Sequence, residues 1–151
     1  MFAGFDLGAK LGYAFLTDEG AICDSGVLKL GKRTPESVRK AYDGIRALFT
    51  AHTPPIVGYE KVTFFGRGIQ AAHAYGSYEA VLWLIALDSE SLIEQVTVKE
   101  VKKLATGKAN AIKHDMITQA LMRWAYLPDD DNEADALWIA ECTRRKYFGL
   151  L

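Results

Sequence analysis

Short apolar segments joined by tight turns open the chain, and they restrict what it can fold into. They occupy residues 2–7, 11–16 and 21–30, and turn-forming residues separate each from the next. Segments of this length that are rich in aromatic and branched residues predict β-strands, and connections this short join antiparallel neighbours. The sequence therefore predicts an antiparallel meander at the start of the fold.

The rest of the chain alternates between helical and strand-like patterns. A helix is predicted to begin after Thr34, which can cap it ahead of Pro35 in the first turn. Buried strands are predicted at 56–59, ending at Glu60, and at 92–98. Further helices are predicted at 69–87, 99–104, 111–126 and 133–147. Because strands separated by helices pair in parallel, we expect an α/β fold with a five-stranded mixed sheet, an antiparallel meander followed by parallel strands, flanked by helices.

Length and composition predict one domain. The chain has 151 residues, of which 50% are hydrophobic and 25% are charged, as is typical of a single globular domain over 1–151. Its 18 basic and 19 acidic residues nearly cancel, so no overall charge attracts it to nucleic acid or acidic membranes. The sequence has no signal-peptide pattern, no long apolar segment and no paired-cysteine spacing, which predicts a cytoplasmic protein that does not enter a membrane.

Acidic residues mark the ends of two predicted strands and the start of the last helix. Asp6 lies near the end of the first strand, and Glu60 ends the fourth. Such acids often only begin a solvated loop, but two strand ends can also bring carboxylates together around a divalent ion. Helix capping explains part of the acidic run at 129–135, but not Asp135, which is predicted to face the core. Carboxylates that converge without a basic partner favour Mg²⁺ or Mn²⁺.

A basic segment runs from Lys99 to Lys113. It contains five lysines and one acid, a formal charge of +4. Most such segments are solvated helix faces. Residues 106–110 also combine a glycine with basic side chains ahead of a helix, which is a pattern that can bind phosphate.

Two features between Glu60 and the basic segment suggest contacts with other molecules. The loop after Glu60 carries Phe64, Phe65 and Arg67. Aromatic rings in such a loop either stack on DNA bases or anchor the loop to the protein. The predicted helix at 69–87 is apolar on nearly all sides and needs burial on more than one face, which predicts a subunit interface.

Taken together, these motifs resemble the RuvC-like Holliday-junction resolvases of the RNase H-like superfamily, in particular the small phage-type members. The matching motifs lie at residues 4–8, 59–62, 101–113 and 132–137. Their order and spacing extend over nearly the whole chain. The resemblance implies an RNase H-like fold, a homodimer, and a site that holds two divalent ions, Mg²⁺ or Mn²⁺.

The resemblance also implies residue roles. The metal-binding and catalytic group would be Asp6, Glu60, Asn132 and Asp135, with Lys113 as the basic catalytic residue beside the cleaved phosphate. We expect DNA contacts from Phe64, Phe65, Arg67, Lys102, Lys103 and Lys108. On the apolar helix, we expect a dimer interface at Tyr75, Tyr78 and Leu82.

Asn132 departs from the family pattern, which has an aspartate at this position. An amide is a poorer metal ligand and removes one negative charge from the site. Three explanations are open: Asp131 supplies the carboxylate, the site works in a weakened form, or an aspartate was replaced to stop cleavage. The nearly isosteric character of the change favours the introduced substitution.

The implied activity is metal-dependent hydrolysis of phosphodiester bonds in four-way and other branched DNA, giving 5′-phosphate and 3′-hydroxyl ends in a bacterial or phage-infected cell. A twofold dimer would nick two strands symmetrically. One alternative is another RNase H-like nuclease acting on RNA–DNA hybrids, because such enzymes share the acidic site. Another is a non-catalytic module that binds junctions, for which Asn132 is the main argument.

Overall fold

The computed structural model describes residues 1–63, 66 and 68–151, and within them the chain forms a five-stranded sheet with helices on both faces. Its elements are β1 (Phe2–Asp6), β2 (Lys10–Leu16), β3 (Ile22–Lys29), α1 (Pro35–His52), β4 (Ile56–Glu60), α2 (Ile69–Asp88), β5 (Leu92–Val96), α3 (Val98–Thr106), α4 (Lys113–Trp124) and α5 (Asp131–Tyr147). The strand order is β3-β2-β1-β4-β5. β1 to β3 are antiparallel, whereas β4 and β5 run parallel to β1, which confirms the predicted mixed sheet.

Capping residues set the ends of several elements. Thr34 caps α1 as predicted. The Thr97 side chain accepts a hydrogen bond from the backbone of Glu100, so β5 ends at Val96 and α3 follows at once. Asp130 accepts hydrogen bonds from the first backbone N–H groups of α5, which therefore begins earlier than predicted.

The sheet separates two apolar layers. On one face α1 and α2 bury Ile45, Phe49 and Leu82 against the sheet. On the other face α5 packs directly on β1 and β2, and α3 and α4 pack against α5 through a cluster that includes Trp138 and Met116. The parallel strands β1 and β4 thus lie at the centre of the fold, covered on both sides.

The backbone of α5 touches the backbone of the sheet at glycines. A Cβ atom at Gly4 of β1 would lie 2.4 Å from the carbonyl oxygen of Ala136, and one at Gly12 of β2 would lie 2.0 Å from that of Asn132. At Gly58 of β4 it would lie 1.8 Å from a side-chain oxygen of α5. Only glycine leaves room for a helix at this distance, so these residues fix how deeply α5 is seated.

The C-terminal half of α5 is held by a buried carboxylate. Glu141 is fully buried and accepts hydrogen bonds from Arg144 at 2.8 and 3.0 Å and from Arg145 at 2.8 Å. Burial raises the pKa of Glu141, but the arginine hydrogen bonds outweigh it and lower the pKa below its ordinary value. Arg144 also donates to the backbone oxygen of Asp18, which joins α5 to the turn between β2 and β3.

The inner face of α2 belongs to the core of this chain. Tyr75, Tyr78 and Leu82 have exposed fractions of only 8%, 0% and 0%. The prediction that these side chains form a dimer interface was therefore wrong, because α1 and the sheet already cover them. The outer face of α2 exposes other apolar side chains, namely Ile69, Trp83, Leu84 and Leu87. No helix in the described ranges is long and apolar enough to cross a membrane.

We expect Gly4→Ala to lower the free energy of unfolding by about 3 kcal/mol or more, because the added methyl group meets backbone atoms that cannot move aside. Urea denaturation measures the change. Gly8→Ala is the matched control, since a Cβ atom there meets only a backbone oxygen at 3.8 Å. Equal effects of the two substitutions would contradict this account of α5 packing.

Candidate active site

Acidic side chains meet at the edge of the sheet where β1 and β4 end. Asp6 and Glu60 are the last residues of these strands, which are parallel neighbours. Asp135 lies near the start of α5, which crosses the same strands. None of the three carboxylates forms an ion pair or hydrogen bond with a side chain in the described part of the chain. The fold therefore brings together three acids, and no basic side chain of the described residues forms an ion pair with them.

Burial and mutual repulsion disfavour the ionised forms of these acids. Burial raises the pKa of Asp6 well above its ordinary value, and the charges of Asp135 and Glu60 raise it further. Burial, followed by the charge of Asp135, raises the pKa of Glu60 to about 7. Burial and the charge of Asp131 raise the pKa of Asp135 to about 6. Each carboxylate would gain from a cation placed among them.

The chemistry of the group suits a divalent cation. Carboxylate oxygens are the hard ligands that Mg²⁺ and Mn²⁺ prefer, and a divalent charge offsets the repulsion among them. Within residues 1–63, 66 and 68–151, no three His, Cys, Asp or Glu side chains are gathered closely enough to enclose an ion as they stand. Asp6, Glu60 and Asp135 therefore act on one another through charge without closing on a common point.

Lys113 and Lys102 lie close enough to the acidic group for their charges to act on it. The positive charge of Lys113 lowers the pKa of both Asp6 and Asp135, against the larger effect of burial. Lys102 lowers the pKa of Glu60 and of Asp135 in the same way. Ammonium groups thus lie near the carboxylates without forming ion pairs with them.

The other predicted DNA contacts differ in how the structure places them. Lys103 lies on α3 and Lys108 follows that helix, and both are exposed to solvent. The structure connects neither of them to the acidic group. Phe64, Phe65 and Arg67 lie outside the described residues.

At the start of α5, the side chains of Asp131 and Asn132 make different contacts. The Asn132 side-chain amide donates a hydrogen bond of 3.3 Å to the capping residue Asp130, which also accepts from the Asn132 backbone. Asp131 forms an ion pair with Lys113, whose hydrogen bond lowers the pKa of Asp131. The charge of Asp131 also raises the pKa of Asp135. Asp131 therefore acts on the acidic group, whereas the Asn132 amide is held by the helix cap.

A tyrosine that sequence reasoning assigned only to the interface supports Glu60. The Tyr75 hydroxyl donates a hydrogen bond of 2.9 Å to the backbone oxygen of Glu60. It also lies 3.4 Å from the backbone nitrogen of Val62, which donates to it, and 3.1 Å from the Glu79 carboxylate. α2 thus holds the backbone on both sides of the point where β4 ends. The apolar pattern of α2 gives no signal for this role.

The residue before Glu60 is tied to α2 and β5 as well. Tyr59 is buried, and its hydroxyl accepts a hydrogen bond of 3.0 Å from Trp83 Nε1 on α2. Gln95 of β5 donates to the same oxygen. Trp83 is 40% exposed, so one indole contacts both solvent and the end of β4.

Another buried acid fixes the start of α5. Glu133 is fully buried and accepts hydrogen bonds from the hydroxyls of Ser25 at 2.6 Å and Tyr126 at 2.7 Å, and from the backbone of Asp129 at 2.6 Å. These bonds join the helix to β3 and to the preceding loop. In the sequence Glu133 cannot be told apart from the neighbouring capping acids, so no pattern predicts its structural role.

Comparison with known proteins shows the family to which the chain belongs. The family profile described as "Crossover junction endodeoxyribonuclease RuvC" matches residues 3–143. This chain belongs to the RuvC family. A RuvC from Gloeobacter violaceus is 34% identical over 149 residues, covering 91% of this chain and 83% of that protein. A RuvC from Pelodictyon phaeoclathratiforme is 29% identical over 147 residues, covering 92% of this chain and 76% of that protein.

Solved RuvC structures share the fold. The Thermus thermophilus RuvC in complex with a Holliday junction substrate superposes with a TM-score of 0.80 at 20% identity, covering 98% of this chain and 95% of that one. The yeast mitochondrial Holliday junction resolvase Ydc2 gives a TM-score of 0.69 at 15% identity, covering 98% of this chain and 79% of that one. The predicted RNase H-like fold is therefore confirmed.

The raised pKa of Glu60 predicts how stability depends on pH in EDTA. Because folded Glu60 holds a proton that the unfolded chain releases, the contribution of Glu60 to the free energy of unfolding falls as the pH rises from 4.5 to about 7. Glu60→Gln removes this loss and should stabilise the protein by about 3 kcal/mol near pH 8 but little near pH 4. Urea denaturation at the two pH values measures it. The exposed acid Glu19, changed to Gln, is the control, and equal behaviour of the two variants would contradict the argument.

Proposed function

We propose that this RuvC-family chain is a structure-selective endodeoxyribonuclease that resolves four-way and other branched DNA junctions. It would hydrolyse phosphodiester bonds with divalent metal ions and leave 5′-phosphate and 3′-hydroxyl ends. The observation that carries the proposal is the convergence of Asp6, Glu60 and Asp135 at one sheet edge beside Lys102 and Lys113. The Holliday junction bound to the Thermus thermophilus RuvC supports the choice of substrate.

The acidic side chains would hold cations, and a basic side chain would balance the charge on the phosphate. Asp6, Glu60, Asp135 and one further acid would hold two ions, Mg²⁺ or Mn²⁺, which supply an activated water and stabilise the leaving oxygen. Lys113 would offset the negative charge that develops on the phosphate. Its ion pair with Asp131 keeps the ammonium beside the acidic group before DNA binds.

We propose that the further acid is Asp131. Its charge acts on Asp6 and Asp135, whereas the amide of Asn132 is held by Asp130. The family pattern places its aspartate at position 132, so this chain would carry the same charge one residue earlier. Interpreting Asn132 as an introduced substitution then becomes unnecessary, and nothing in the fold supports it.

Cleavage assays test both the activity and the assignment of Asp131. A labelled four-way junction, a linear duplex and an RNA–DNA hybrid are incubated with the protein in Mg²⁺ or in EDTA. We expect paired nicks in the junction, only with Mg²⁺. Asp131→Asn should lower the cleavage rate by about a hundredfold, because it removes a charge from the site, whereas Asn132→Ala should change it less than threefold.

The other outcomes are equally informative. Cleavage only by the Asn132→Asp variant would overturn the assignment of Asp131 and show that position 132 is the missing ligand. Junction binding without cleavage by any variant would identify a binding module. Cleavage of the RNA–DNA hybrid alone would identify a different RNase H-like nuclease.

We also propose a homodimer that forms through the outer face of α2. Ile69, Leu84 and Leu87 are 66%, 61% and 65% exposed, and Trp83 lies on the same helix. Apolar side chains repeated along one helix face need a cover, and a second copy supplies it in a twofold arrangement suited to paired nicks. The residues first predicted for this interface are replaced by these outer ones.

Leu84→Glu is expected to convert the dimer to a monomer, because burying an unpaired charge in an apolar interface costs several kcal/mol. Sedimentation velocity measures the oligomeric state, and the junction assay should show single nicks in place of paired ones. Met122→Glu, on the exposed surface of α4 at 73% exposure, is the control. A Leu84→Glu protein that stays dimeric would exclude α2 as the interface.

The remaining assignments follow from the same proposal. We infer that Lys103 and Lys108 contact the DNA backbone, and that Phe64, Phe65 and Arg67 contact bases near the junction centre. We further infer that residues 1–151 act as one RNase H-like nuclease domain in the cytoplasm of a bacterium or a phage-infected host.

A further inference from the structure

Two lysines face each other across β2 and β3. Lys10 is the first residue of β2 and Lys29 the last of β3, and they are direct partners in the antiparallel register. Both are exposed. Directly opposed residues project from the same face of a sheet with Cβ atoms about 5 Å apart, and like charges at such positions are destabilising. Because this placement lowers stability, we expect the two lysines to have a function.

The pair lies beside the acidic group. Lys10 has the same orientation as Gly12, whose sheet face touches α5, because side chains alternate along a strand. Gly12 pairs with Asp6 on β1, so Lys10 extends beyond the end of β1 at the edge where Asp6 lies. The charge of Lys10 also contributes to lowering the pKa of Asp131. Both lysines thus border the site on the α5 face, on the β3 side of Asp6.

The pair is not bonded to the acids that lie near it. Lys10 and Lys29 form no ion pair with a carboxylate in that part of the chain. The backbone oxygen of Lys29 accepts a hydrogen bond of 2.7 Å from Lys40 Nζ, so α1 holds the end of β3 from the opposite face of the sheet. Two ammonium groups held side by side on paired strands, with no carboxylate bonded to either in the described ranges, favour a bound anion.

We propose that Lys10 and Lys29 form a phosphate-binding pair that holds the sugar–phosphate backbone of junction DNA beside the acidic site. This inference rests on the proposed nuclease function and extends it. Lys102 borders Glu60 on the β4 side, whereas Lys10 and Lys29 lie on the β3 side, so the DNA would be held on both sides of the cleaved bond. Lysines bind phosphate as point charges and position DNA without reading its sequence.

Salt-dependent binding tests the pair. Binding of a labelled four-way junction is measured in EDTA, from about 50 to 300 mM salt, for the full chain and for Lys10→Gln, Lys29→Gln and the double variant. Each single change should weaken binding fivefold to tenfold near 0.1 M salt and reduce the slope of log K against log salt by about one. Arg46→Gln is the control, because it removes the same charge from α1 on the opposite face of the sheet.

Stability distinguishes a DNA contact from a structural role. Because the opposed lysines repel each other, the double variant should unfold at the same or a higher urea concentration than the unmodified chain. Weaker DNA binding combined with unchanged or increased stability supports the proposal. Unchanged binding, a slope equal to that of Arg46→Gln, or a loss of stability that accounts for weaker binding would overturn it.

The nuclease activity and the phosphate-binding pair give separate experimental outcomes. If the unmodified chain cuts the junction and the lysine variants bind it normally, only the phosphate-binding pair is wrong. If the unmodified chain cuts no substrate but loses junction affinity in the lysine variants, the nuclease proposal fails and the pair stands as a DNA contact. If it neither binds nor cuts the junction, both fail.

Discussion

The contact between α5 and the bare backbone of the sheet is the constraint on which the acidic site depends. Gly4 and Gly58 are partners in the register of β1 and β4, so two adjacent strands lack side chains where the helix crosses. Ala136 on α5 is equally small. At Gly4 the strand meets the backbone of α5 directly, and at Gly58 a side-chain hydroxyl of α5 occupies the space that a Cβ atom would need. The helix therefore lies close to both strands, with Asp135 near enough to Asp6 for its charge to raise the pKa of Asp6. A bulkier residue at any of these positions would lift the helix and separate the carboxylates.

At the end of the sheet where Asp6 lies, like charges are close together, which lowers stability but favours the binding of oppositely charged ligands. Buried acids with raised pKa values lie in the middle, and opposed lysines lie to one side. Both groupings would be relieved by molecules of the opposite charge, a cation for the acids and a phosphate for the lysines. Elsewhere a buried charge is paired within the chain, as Glu141 is by hydrogen bonds from Arg144 and Arg145. Like charges are therefore left close together at the proposed functional surface, whereas the buried charge of Glu141 in the scaffold is paired.

The sequence predicted the order and type of the elements because apolar periodicity and capping residues act locally. It also predicted that Asp6, Glu60 and Asp135 belong together, since strand ends and a helix start can meet at one sheet edge. It did not predict which face of α2 is buried, because a helix that is apolar on all sides has no pattern to orient it. Nor could it predict the Tyr75 contact with Glu60, the burial of Glu133 or the opposed lysines. These depend on distances between segments far apart in the chain.

The two faces of α2 have different roles. Its inner side holds the end of β4 through Tyr75 and Trp83, and its outer side carries the apolar stripe proposed to meet a second copy. Trp83 belongs to both, since its indole is bonded to Tyr59 and partly open to solvent. In the proposed dimer, assembly and the placement of Glu60 would therefore be thermodynamically linked. Such linkage is reciprocal. If dimer formation raises the affinity of the acidic site for a ligand by some factor, binding of that ligand raises the affinity of the two copies for each other by the same factor.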